Sequence, residues 1–489
     1  MINHTTSVAR GKADIEIGAY REVAASSLQD QTLQQALSCV QGRIGKATRF
    51  AYQELPEGPG LRLVGHELRL QALLQLDVLL SELADQVRAR GGKVFFAPDG
   101  EAARRYCLET AAKNQVRQVV KGKSMVTEEI ALNDALFEAG IEATETDLGE
   151  YIIQLAGERP SHIIAPAIHK TRQEVGRLFA DKLGIPYTDD PATLTRAARR
   201  ALREKFFAAD MGITGCNLAC AETGHITTLS NEGNIRMSTS MPRVHVAIMG
   251  MERVVAKLDD QAVLFRLLSR GAAAQRLATY ISYAGGPAGA DEIDGPEEFH
   301  LVILDNGRSR ILADPVFREI LCCVRCGACL NVCPVYGKIG GYAYGHPYAG
   351  PIGAVLNPLL AGLEKAKDLF FGETLCGACR EACPVNIDLP RMLLALRARL
   401  IDGDDATGSR PQAGRMEKHT VQAWTRLAEH RGLYEAAHQT AALAQRLLPR
   451  HSGLLTWTPP PFSAWTKGRD LQPLARRTFL QELRKHKQR

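Results

Sequence analysis

The sequence lacks any apolar run of the roughly 18 residues that a membrane-spanning helix needs. Its longest candidate stretch, PIGAVLNPLLAGL, is short and interrupted by proline. The opening residues MINHTTSVARGKADIE are polar and do not have the apolar segment of a secretory signal. We therefore expect a cytoplasmic protein without a transmembrane segment, in which clustered cysteines are metal ligands rather than disulfides.

The sequence also has little regular alternation of basic and aromatic residues. The net charge is +6, and its excess lies near the C-terminus, where residues 411–489 hold 14 Lys+Arg against 5 Asp+Glu. These basic residues are scattered, which is more typical of a solvated helical face than of a nucleic-acid site. We therefore predict that the chain does not bind nucleic acid, although steeply salt-dependent DNA binding would overturn this prediction.

What the sequence does contain is a dense group of cysteines, CCVRCGACLNVCPVY, at residues 322–336. Cys323, Cys326, Cys329 and Cys333 have the spacing C-x2-C-x2-C-x3-C, and proline follows the last of them. This is the spacing of bacterial ferredoxins, in which three closely spaced cysteines bind one cubane cluster and the fourth binds another. The pattern predicts a second cysteine segment elsewhere in the chain.

The second segment is CGACREACPV, which contains Cys376, Cys379 and Cys383. Exchange of the fourth cysteines gives one complete set, Cys323, Cys326, Cys329 and Cys383. The other set, Cys376, Cys379 and Cys333, is one ligand short, and Glu373 occupies the position of the missing cysteine. We expect two iron–sulfur clusters, of which at least one is 4Fe-4S. The second is either a three-iron cluster or a four-iron cluster completed by an oxygen, water or partner ligand, or by the extra Cys322.

Structural zinc is the alternative interpretation of these cysteines, since zinc sites also use C-x2-C pairs. Two Cys-Pro segments with ferredoxin spacing favour iron–sulfur clusters instead. Between them, the apolar residues Leu356, Leu360 and Leu363 recur at helical spacing. The pattern therefore predicts a helical two-cluster domain. Cys216 and Cys220 form a C-x3-C pair without further ligands nearby, and Cys39 and Cys107 are expected to be buried apolar residues.

Upstream of the cysteines, the sequence predicts a layered α/β fold. Residues 28–90 have the apolar spacing of amphipathic helices and end at two glycines. After them, short apolar runs alternate with helix-sized segments, which indicates a mainly parallel sheet. The predicted strands are KVFFAP, RQVVK, GIEAT, SHIIAP, HITTL, VHVAIMG and FHLVILD. A chain of 489 residues with this pattern is long enough for two or three domains.

Two predicted loops carry residues suited to chemistry, and ligands of such folds bind beyond the carboxyl ends of the strands. Lys123 and Ser124 follow an apolar strand, where they could hold a carboxylate or a phosphate. Glu222 lies at the bend of a predicted hairpin and is a candidate acid–base residue. Both segments also have ordinary turn chemistry, which is the competing structural interpretation.

The chain resembles a bacterial family along most of its length. The segments KSMVTEE, PSHIIAPAIHK, GITGCNLACAETG, GPEEFHLVILDNGR, RCGACLNVCPVY and LCGACREACPV occur in the order found in the lactate-utilisation protein B family. The resemblance runs from about residue 60 to the C-terminus, where it includes Trp465, Arg469 and Asp470. Cys216 and Cys220 stand where the resemblance leads us to expect small or apolar residues, and Cys322 is an extra thiol beside the first cysteine motif.

We expect an N-terminal helical extension (1–60). The resemblance, which begins at about residue 60, implies an α/β lactate-utilisation (LUD) domain (61–310), a helical dicluster ferredoxin domain (311–400) and a basic helical C-terminal region (401–489). It further implies that the α/β domain is related to sugar-phosphate isomerases and CoA transferases. The family acts with a protein that bears cysteine-rich domains and with a shorter LUD protein, and together they oxidise L-lactate to pyruvate.

The expected role of this chain follows from one further absence. The sequence contains no G-x-G-x-x-G fingerprint of a nicotinamide- or flavin-binding strand–helix unit. We therefore expect an electron-transfer component that relays electrons through two clusters. The upstream domain, through Lys123, Ser124 and Glu222, is a candidate site for lactate or pyruvate. The alternative is an isomerase- or transferase-like enzyme with structural or regulatory clusters.

Overall fold

The computed structural model describes residues 19–403, 414–460, 462–467 and 469–487. The chain forms two compact units, Met1–Ser409 and Arg410–Arg489. The strands are β1 (Lys93–Ala97), β2 (Gln118–Lys121), β3 (Glu142–Glu145), β4 (Met211–Thr214), β5 (Leu218–Cys220), β6 (Ile226–Ser230), β7 (Val244–Gly250), β8 (Val254–Val255), β9 (Tyr280–Ala284), β10 (Glu298–Leu304), β11 (Arg450–His451) and β12 (Leu454–Leu455).

The α-helices are numerous and mostly short. They are α1 (Tyr20–Gln29), α2 (Gln31–Val40), α3 (Lys46–Gln53), α4 (Pro59–Leu74), α5 (Leu76–Ala89), α6 (Gly100–Lys113), α7 (Met125–Glu129), α8 (Leu132–Glu138), α9 (Leu148–Ala156), α10 (Arg172–Leu183), α11 (Pro191–Ala208), α12 (Asn234–Ser240), α13 (Leu258–Ala273), α14 (Arg308–Ala313), α15 (Ala328–Val332), α16 (Tyr336–Ile339), α17 (Gly350–Ala361), α18 (Lys367–Phe371), α19 (Ala378–Ala382), α20 (Leu389–Asp402), α21 (Arg415–Glu429), α22 (Arg431–Ala444) and α23 (Phe479–Lys487).

A six-stranded parallel sheet with strand order β1-β10-β7-β4-β2-β3 forms the centre of the α/β part. The neighbouring interior strands β7 and β10 are almost entirely buried, as their continuous apolar sequences predict. Helix α5 packs on one face of this sheet with Leu76, Leu79, Leu83 and Val87, which recur at helical spacing. The predicted α/β fold with a parallel sheet is confirmed.

A second, four-stranded sheet has the order β8-β5-β6-β9. Strands β5 and β6 are antiparallel, so the predicted hairpin with its bend at Glu222 is present. The predicted strand SHIIAP is wrong, because residues 160–167 form a loop. In this loop the Nδ1 atom of His162 accepts hydrogen bonds from the backbone N–H groups of Ile164 and Ala165, both at 3.0 Å. The side chain thereby satisfies donors that a strand would have used.

The cysteine-rich part, from Arg318 to Asp402, is helical, as the sequence predicts. Its core also contains residues from the N-terminal helices, including Tyr20, Leu33 and Leu37. Helix α1 contacts α16 and α18, and α2 contacts α16. The helices that follow residue 19 therefore pack on the cysteine-rich part. The domain boundaries at residues 60, 310 and 400 stay predictions.

Helix α4 connects the α/β part to both cysteine segments. Arg69 is fully buried and donates hydrogen bonds to the carbonyls of Val254 (3.0 Å), Leu321 (3.2 Å) and Cys322 (3.4 Å). One turn earlier, His66 Nδ1 lies 2.9 Å from the carbonyl oxygen of Val385. Near the start of the helix, Arg62 Nε donates to the carbonyl of Cys383 at 2.9 Å. These contacts fix the backbone of both segments at the residues that carry the thiols.

The second unit contains α21, α22, α23 and the two-residue strands β11 and β12, which pair antiparallel. Its helical character confirms the prediction for the C-terminal region. Within it, the Arg469 guanidinium lies 5.5 Å from the centre of the Trp465 ring. Among the helices of the described ranges, none combines the length and the apolar character needed to cross a membrane.

Candidate functional site

The two cysteine segments fold into copies of one local structure. Each contains Cys-Gly-Ala-Cys followed by a short helix, α15 or α19, and then Cys-Pro. Gly327 and Gly377 precede these helices with left-handed backbone conformations, at φ +74° and +85°. Arg325 and Leu375, two residues before each glycine, are also left-handed. Helices α15 and α19 pack against each other, so the two segments face one another.

This packing brings together the four cysteines of the first predicted set. Cys323, Cys326, Cys329 and Cys383 line one cavity, whose remaining wall is mainly apolar and includes Ile163, Val324, Ile352, Val385, Ile387 and Leu389. Cys383 therefore lines the same cavity as the three cysteines of the first segment, and its exchange into the first ligand set stays a prediction. Backbone N–H groups point at three of these four sulfurs. Arg325 N lies 3.4 Å from Cys323 Sγ, Ala328 N lies 3.5 Å from Cys326 Sγ, and Ile387 N lies 3.4 Å from Cys383 Sγ.

The donor chemistry of this cavity fits a cluster with four thiolate ligands. Cluster ligands are thiolates that accept hydrogen bonds in an environment of low polarity. Burial raises the pKa of Cys383 to about 11 and raises that of Cys326 well above its usual value. Positively charged iron is needed to deprotonate such thiols at neutral pH, so metal binding would release protons. All twelve cysteines are free thiols.

The second set is arranged around Glu373. Cys333 Sγ donates a hydrogen bond of 3.5 Å to Glu373 Oε2, and the Tyr344 hydroxyl donates to Oε1 at 3.0 Å. Glu373 is only 7% exposed. Tyr336 N lies 3.4 Å from Cys333 Sγ, which repeats the backbone contact seen at Cys383. Of the two remaining cysteines, Cys379 is buried and Cys376 is exposed.

The other cysteines lie apart from these two sets. Cys322 is buried beside Arg69, its carbonyl accepts from Arg69 Nε, and burial raises its pKa to about 12. It is not among the residues that line the first cavity. Cys107 lies in the core as expected, whereas the prediction for Cys39 is wrong, because that side chain is exposed. Cys220 Sγ donates to the carbonyl of Ala256, and Cys216 lines a separate cavity.

This separate cavity, of about 330 Å³, lies at the carboxyl ends of the parallel strands. Its lining includes Lys123 and Ser124 after β2, Asn217 after β4 and Arg253 after β7. It also includes Val324, Arg325 and Cys326 of the first cysteine segment. The two cavities therefore share one wall. Lys123 and Ser124 are in this cavity, whereas Glu222 is exposed, accepts from Leu258 N at 3.4 Å and is not part of the lining.

Three arginines surround one carboxylate in the lining of the larger cavity. The nearest nitrogens of Arg308, Arg325 and Arg253 lie 2.8, 3.5 and 3.7 Å from oxygens of Glu252. Arg308 also makes a bidentate pair with Glu129, with distances of 2.9 and 2.7 Å. Burial opposes ionisation of Glu129, but Arg308 overcomes this effect and holds the pKa at about 2.

Sequence reasoning did not find Glu252, Arg253, Arg308 or Arg325. Glu252 and Arg253 follow strand β7 directly, so the rule that ligands bind at strand ends could have indicated them. Arg325 lies inside the cysteine motif, where the spacing of the thiols draws attention away from the intervening side chains. The contact between the α/β part and the cysteine-rich part depends on the tertiary fold, so no local sequence pattern indicates it.

Comparisons with known proteins agree with this geometry. Residues 80–304 match the model of the LUD domain, and residues 319–387 match that of the 4Fe-4S dicluster domain. The chain is 43% identical over 462 residues to "Lactate utilization protein B" of Bacillus pumilus (strain SAFR-032), covering 94% of this chain and 96% of the relative. The chain belongs to the lactate utilization protein B family. The family resemblance drawn from the sequence motifs is thus confirmed.

A second relative of the same name, from Bacillus thuringiensis (strain Al Hakam), is 43% identical over 469 residues, covering 96% of this chain and 97% of the relative. Among solved structures, a DUF162 family protein from Deinococcus radiodurans has a TM-score of 0.27 and 13% identity, covering 47% of this chain and 98% of that one. This structural similarity is too low to support an argument. The family assignment depends on the two full-length relatives and on the dicluster match.

Proposed function

We propose that this chain is the iron–sulfur electron-transfer component of a cytoplasmic multi-subunit system that oxidises L-lactate to pyruvate. The observation that carries the proposal is the cavity lined by Cys323, Cys326, Cys329 and Cys383, which come from two distant segments. The name of the full-length relatives supports the substrate. Iron–sulfur clusters, when bound, supply one-electron oxidation and reduction, which suits a relay between a two-electron substrate and an acceptor.

The first set is partly shielded from solvent. Cys326 and Cys383 are buried, Cys323 and Cys329 are half-buried, and apolar side chains such as Ile163 and Ile352 form part of the wall. By contrast, Cys376 of the second set is exposed. We therefore assign the surface around Cys376 as the place where a redox partner approaches. The expected partners are the two other lactate-utilisation proteins, one with cysteine-rich domains and one a shorter LUD protein.

For the second set, we propose Glu373 as the fourth ligand of a 4Fe-4S cluster. Glu373 stands three residues before Cys376, which is the offset of Cys323 from Cys326 in the first segment. Its carboxylate is buried, and Oε2 lies 3.5 Å from the thiol of Cys333. The Tyr344 hydroxyl donates a hydrogen bond of 3.0 Å to the other carboxylate oxygen, Oε1. A carboxylate held at the position of a missing thiol is placed to complete the set.

The second-cluster proposal is tested by iron analysis and electron paramagnetic resonance of protein purified under anaerobic conditions. Glu373→Ala should reduce the content from about eight irons to about seven and produce the signal of an oxidised three-iron cluster, while Glu373→Cys should retain about eight. The matched control is Glu364→Ala, since Glu364 is an exposed carboxylate. An unchanged spectrum in Glu373→Ala would remove Glu373 from the ligand set.

The proposed function is tested by purifying the chain together with its native partners and adding L-lactate. We expect lactate to bleach the visible absorbance of the clusters. Cys383→Ala should abolish most of this change because it removes a ligand of the first set, whereas Cys39→Ala removes an exposed thiol and should have no effect. Turnover that is insensitive to cluster reduction would instead favour the isomerase- or transferase-like alternative.

A further inference from the structure

We infer that the cavity of about 330 Å³ between the parallel sheet and the first cysteine segment binds a small monocarboxylate of the 2-hydroxy or 2-oxo acid class. The inference rests on the proposed function for the choice of this acid class, but the evidence for an anion site is independent of it. It goes beyond an electron-transfer role because it places a substrate-sized site on this chain, next to the first set of cysteines.

The position of the cavity is the first argument. Ser124 follows strand β2, Asn217 follows β4, and Arg253 follows β7, so three neighbouring parallel strands direct their carboxyl ends at the same space. Open parallel sheets bind ligands at this edge. The opposite wall is formed by residues 324–326, and Cys326 lines both this cavity and the cysteine cavity. A ligand here would lie against the wall of the first cluster site.

The second argument is a buried charge with incomplete pairing, since the Arg325 guanidinium lies 4.3 Å from the centre of the Tyr348 ring and shares its nearest carboxylate with other arginines. Only 9% of the Arg325 side chain is exposed, and its Nη1 atom is buried without a hydrogen-bond partner among the described residues. Its nearest carboxylate oxygen, at 3.5 Å, belongs to Glu252, which Arg308 and Arg253 share. Three guanidinium groups thus share two carboxylates, because all three contact Glu252 and only Arg308 also contacts Glu129. Buried charges are normally paired, so this arrangement calls for one more anion.

The surroundings favour a monocarboxylate over a phosphate. Asp147 and Glu232 also line the cavity and would repel a dianion. Lys123 Nζ lies 3.1 Å from Glu150 Oε1, which pairs its charge, whereas Arg325 shares Glu252 with two other arginines. Ser124 can hydrogen-bond a hydroxyl or keto oxygen, and Ile163 and Leu268 offer apolar contact for a short alkyl group. A planar guanidinium matches the geometry of a carboxylate.

The first set of thiolates is the competing source of the missing negative charge, because Arg325 lies two residues after Cys323 and directly before Cys326 in the chain. The two explanations differ in their response to added acid. If Arg325 interacts only with the cluster, carboxylates will not bind. Arg325→Met will then change only the spectrum or the reduction potential of the cluster. If Arg325 holds a substrate, carboxylates will bind to the cluster-loaded chain and will perturb the cluster signal through the shared wall.

The experiment is isothermal titration calorimetry of the full, cluster-loaded chain with L-lactate and pyruvate, with inorganic phosphate as the comparison anion. We expect one site per chain that prefers the monocarboxylates. Arg325→Met should weaken binding about tenfold or more, since a charge-assisted hydrogen bond is lost. Arg276→Met is the matched control, because that side chain is 80% exposed and outside the cavity, and it should bind as the wild type does.

A steric variant makes the test independent of Arg325. Ala272 is partly exposed and lines the cavity, so Ala272→Phe should reduce binding by occupying space while leaving every cysteine in place. Electron paramagnetic resonance of the reduced chain should shift when pyruvate is added to the wild type and should not shift in either variant. Full iron content without binding of lactate or pyruvate would overturn this inference and leave the proposed function standing. Absence of the clusters themselves would instead overturn the proposed function.

Discussion

Arg69 offers the sharpest test of how the α/β part holds the first cysteine segment. Its guanidinium is completely buried and donates to the carbonyls of Glu252, Val254, Leu321 and Cys322. Burial lowers its pKa to about 10, so the group stays charged at neutral pH. Two of these carbonyls follow strand β7 and two directly precede Cys323. Removal of the guanidinium would therefore remove the hydrogen bonds that join the segment after β7 to the residues before Cys323.

The change Arg69→Met keeps the length and apolar volume of the side chain but removes every donor. Each buried carbonyl left without a donor costs about 1–3 kcal/mol. Four such groups would give a large loss, but removal of a buried charge recovers part of it. We therefore expect a net destabilisation of about 3–5 kcal/mol, which is typical when one partner of a buried charged network is removed. The variant should also lose iron from the first site before it unfolds globally.

The assay is chemical denaturation followed by circular dichroism, with iron release measured in parallel. Arg88→Met is the matched control on the next helix. The Arg88 side chain is 52% exposed and pairs only with Asp85 on the surface, so its loss should change stability by less than about 0.5 kcal/mol. Equal stability and equal iron retention in the two variants would refute the role assigned to Arg69.

Three further predictions concern the same region. Burial lowers the pKa of His162 in the folded chain to about 4, whereas in the unfolded chain the imidazole takes up a proton near pH 6.5. The free energy of unfolding should therefore decrease as the pH falls from about 6.5 towards 4. Denaturation midpoints of His162→Gln should fall less steeply over this range, and parallel pH profiles of variant and wild type would contradict the assignment. Gly327→Ala should be more destabilising than Gly377→Ala. Both backbones are left-handed, but a methyl group added at Gly327 would lie 3.3 Å from Ile164, whereas one added at Gly377 would have no described atom within 4 Å. Thermal melts would measure the difference, which we expect to be about 1 kcal/mol, and equal costs would exclude packing of the 160–167 loop on the cysteine segment. Cys322→Ala should retain the wild-type iron content whereas Cys323→Ala should not, since only Cys323 lines the first cavity; iron loss in Cys322→Ala would restore Cys322 as a ligand.

The sequence predicts the two cysteine sets because the chemistry constrains the spacing. A thiolate must reach one corner of a small rigid cluster, so C-x2-C-x2-C and the exchanged Cys-Pro residue imply a local geometry. Helix α15 packs on α19, and Cys323 and Cys383 line one cavity, which is what the predicted exchange requires. The parallel sheet could likewise be predicted, since buried strands such as β7 and β10 are continuous apolar runs.

The sequence alone could not predict the features that depend on distant contacts. Arg325 gains its significance only when β7 brings Glu252 within 3.5 Å of it. The N-terminal helices are not recognisable as part of the cysteine-rich core until Tyr20 lies against Tyr344, with ring centres 6.0 Å apart. The segment SHIIAP has the composition of a strand, but the hydrogen bonds of His162 to its own loop compete with sheet formation.

The most direct test of the central claim is the metal and sulfide content of the full chain purified under anaerobic conditions. The account predicts about eight irons and a matching amount of acid-labile sulfide per chain, with a loss of about four irons in Cys383→Ala and none in Cys39→Ala. Stoichiometric zinc without labile sulfide, or disulfides between the cysteines of the two segments, would contradict it.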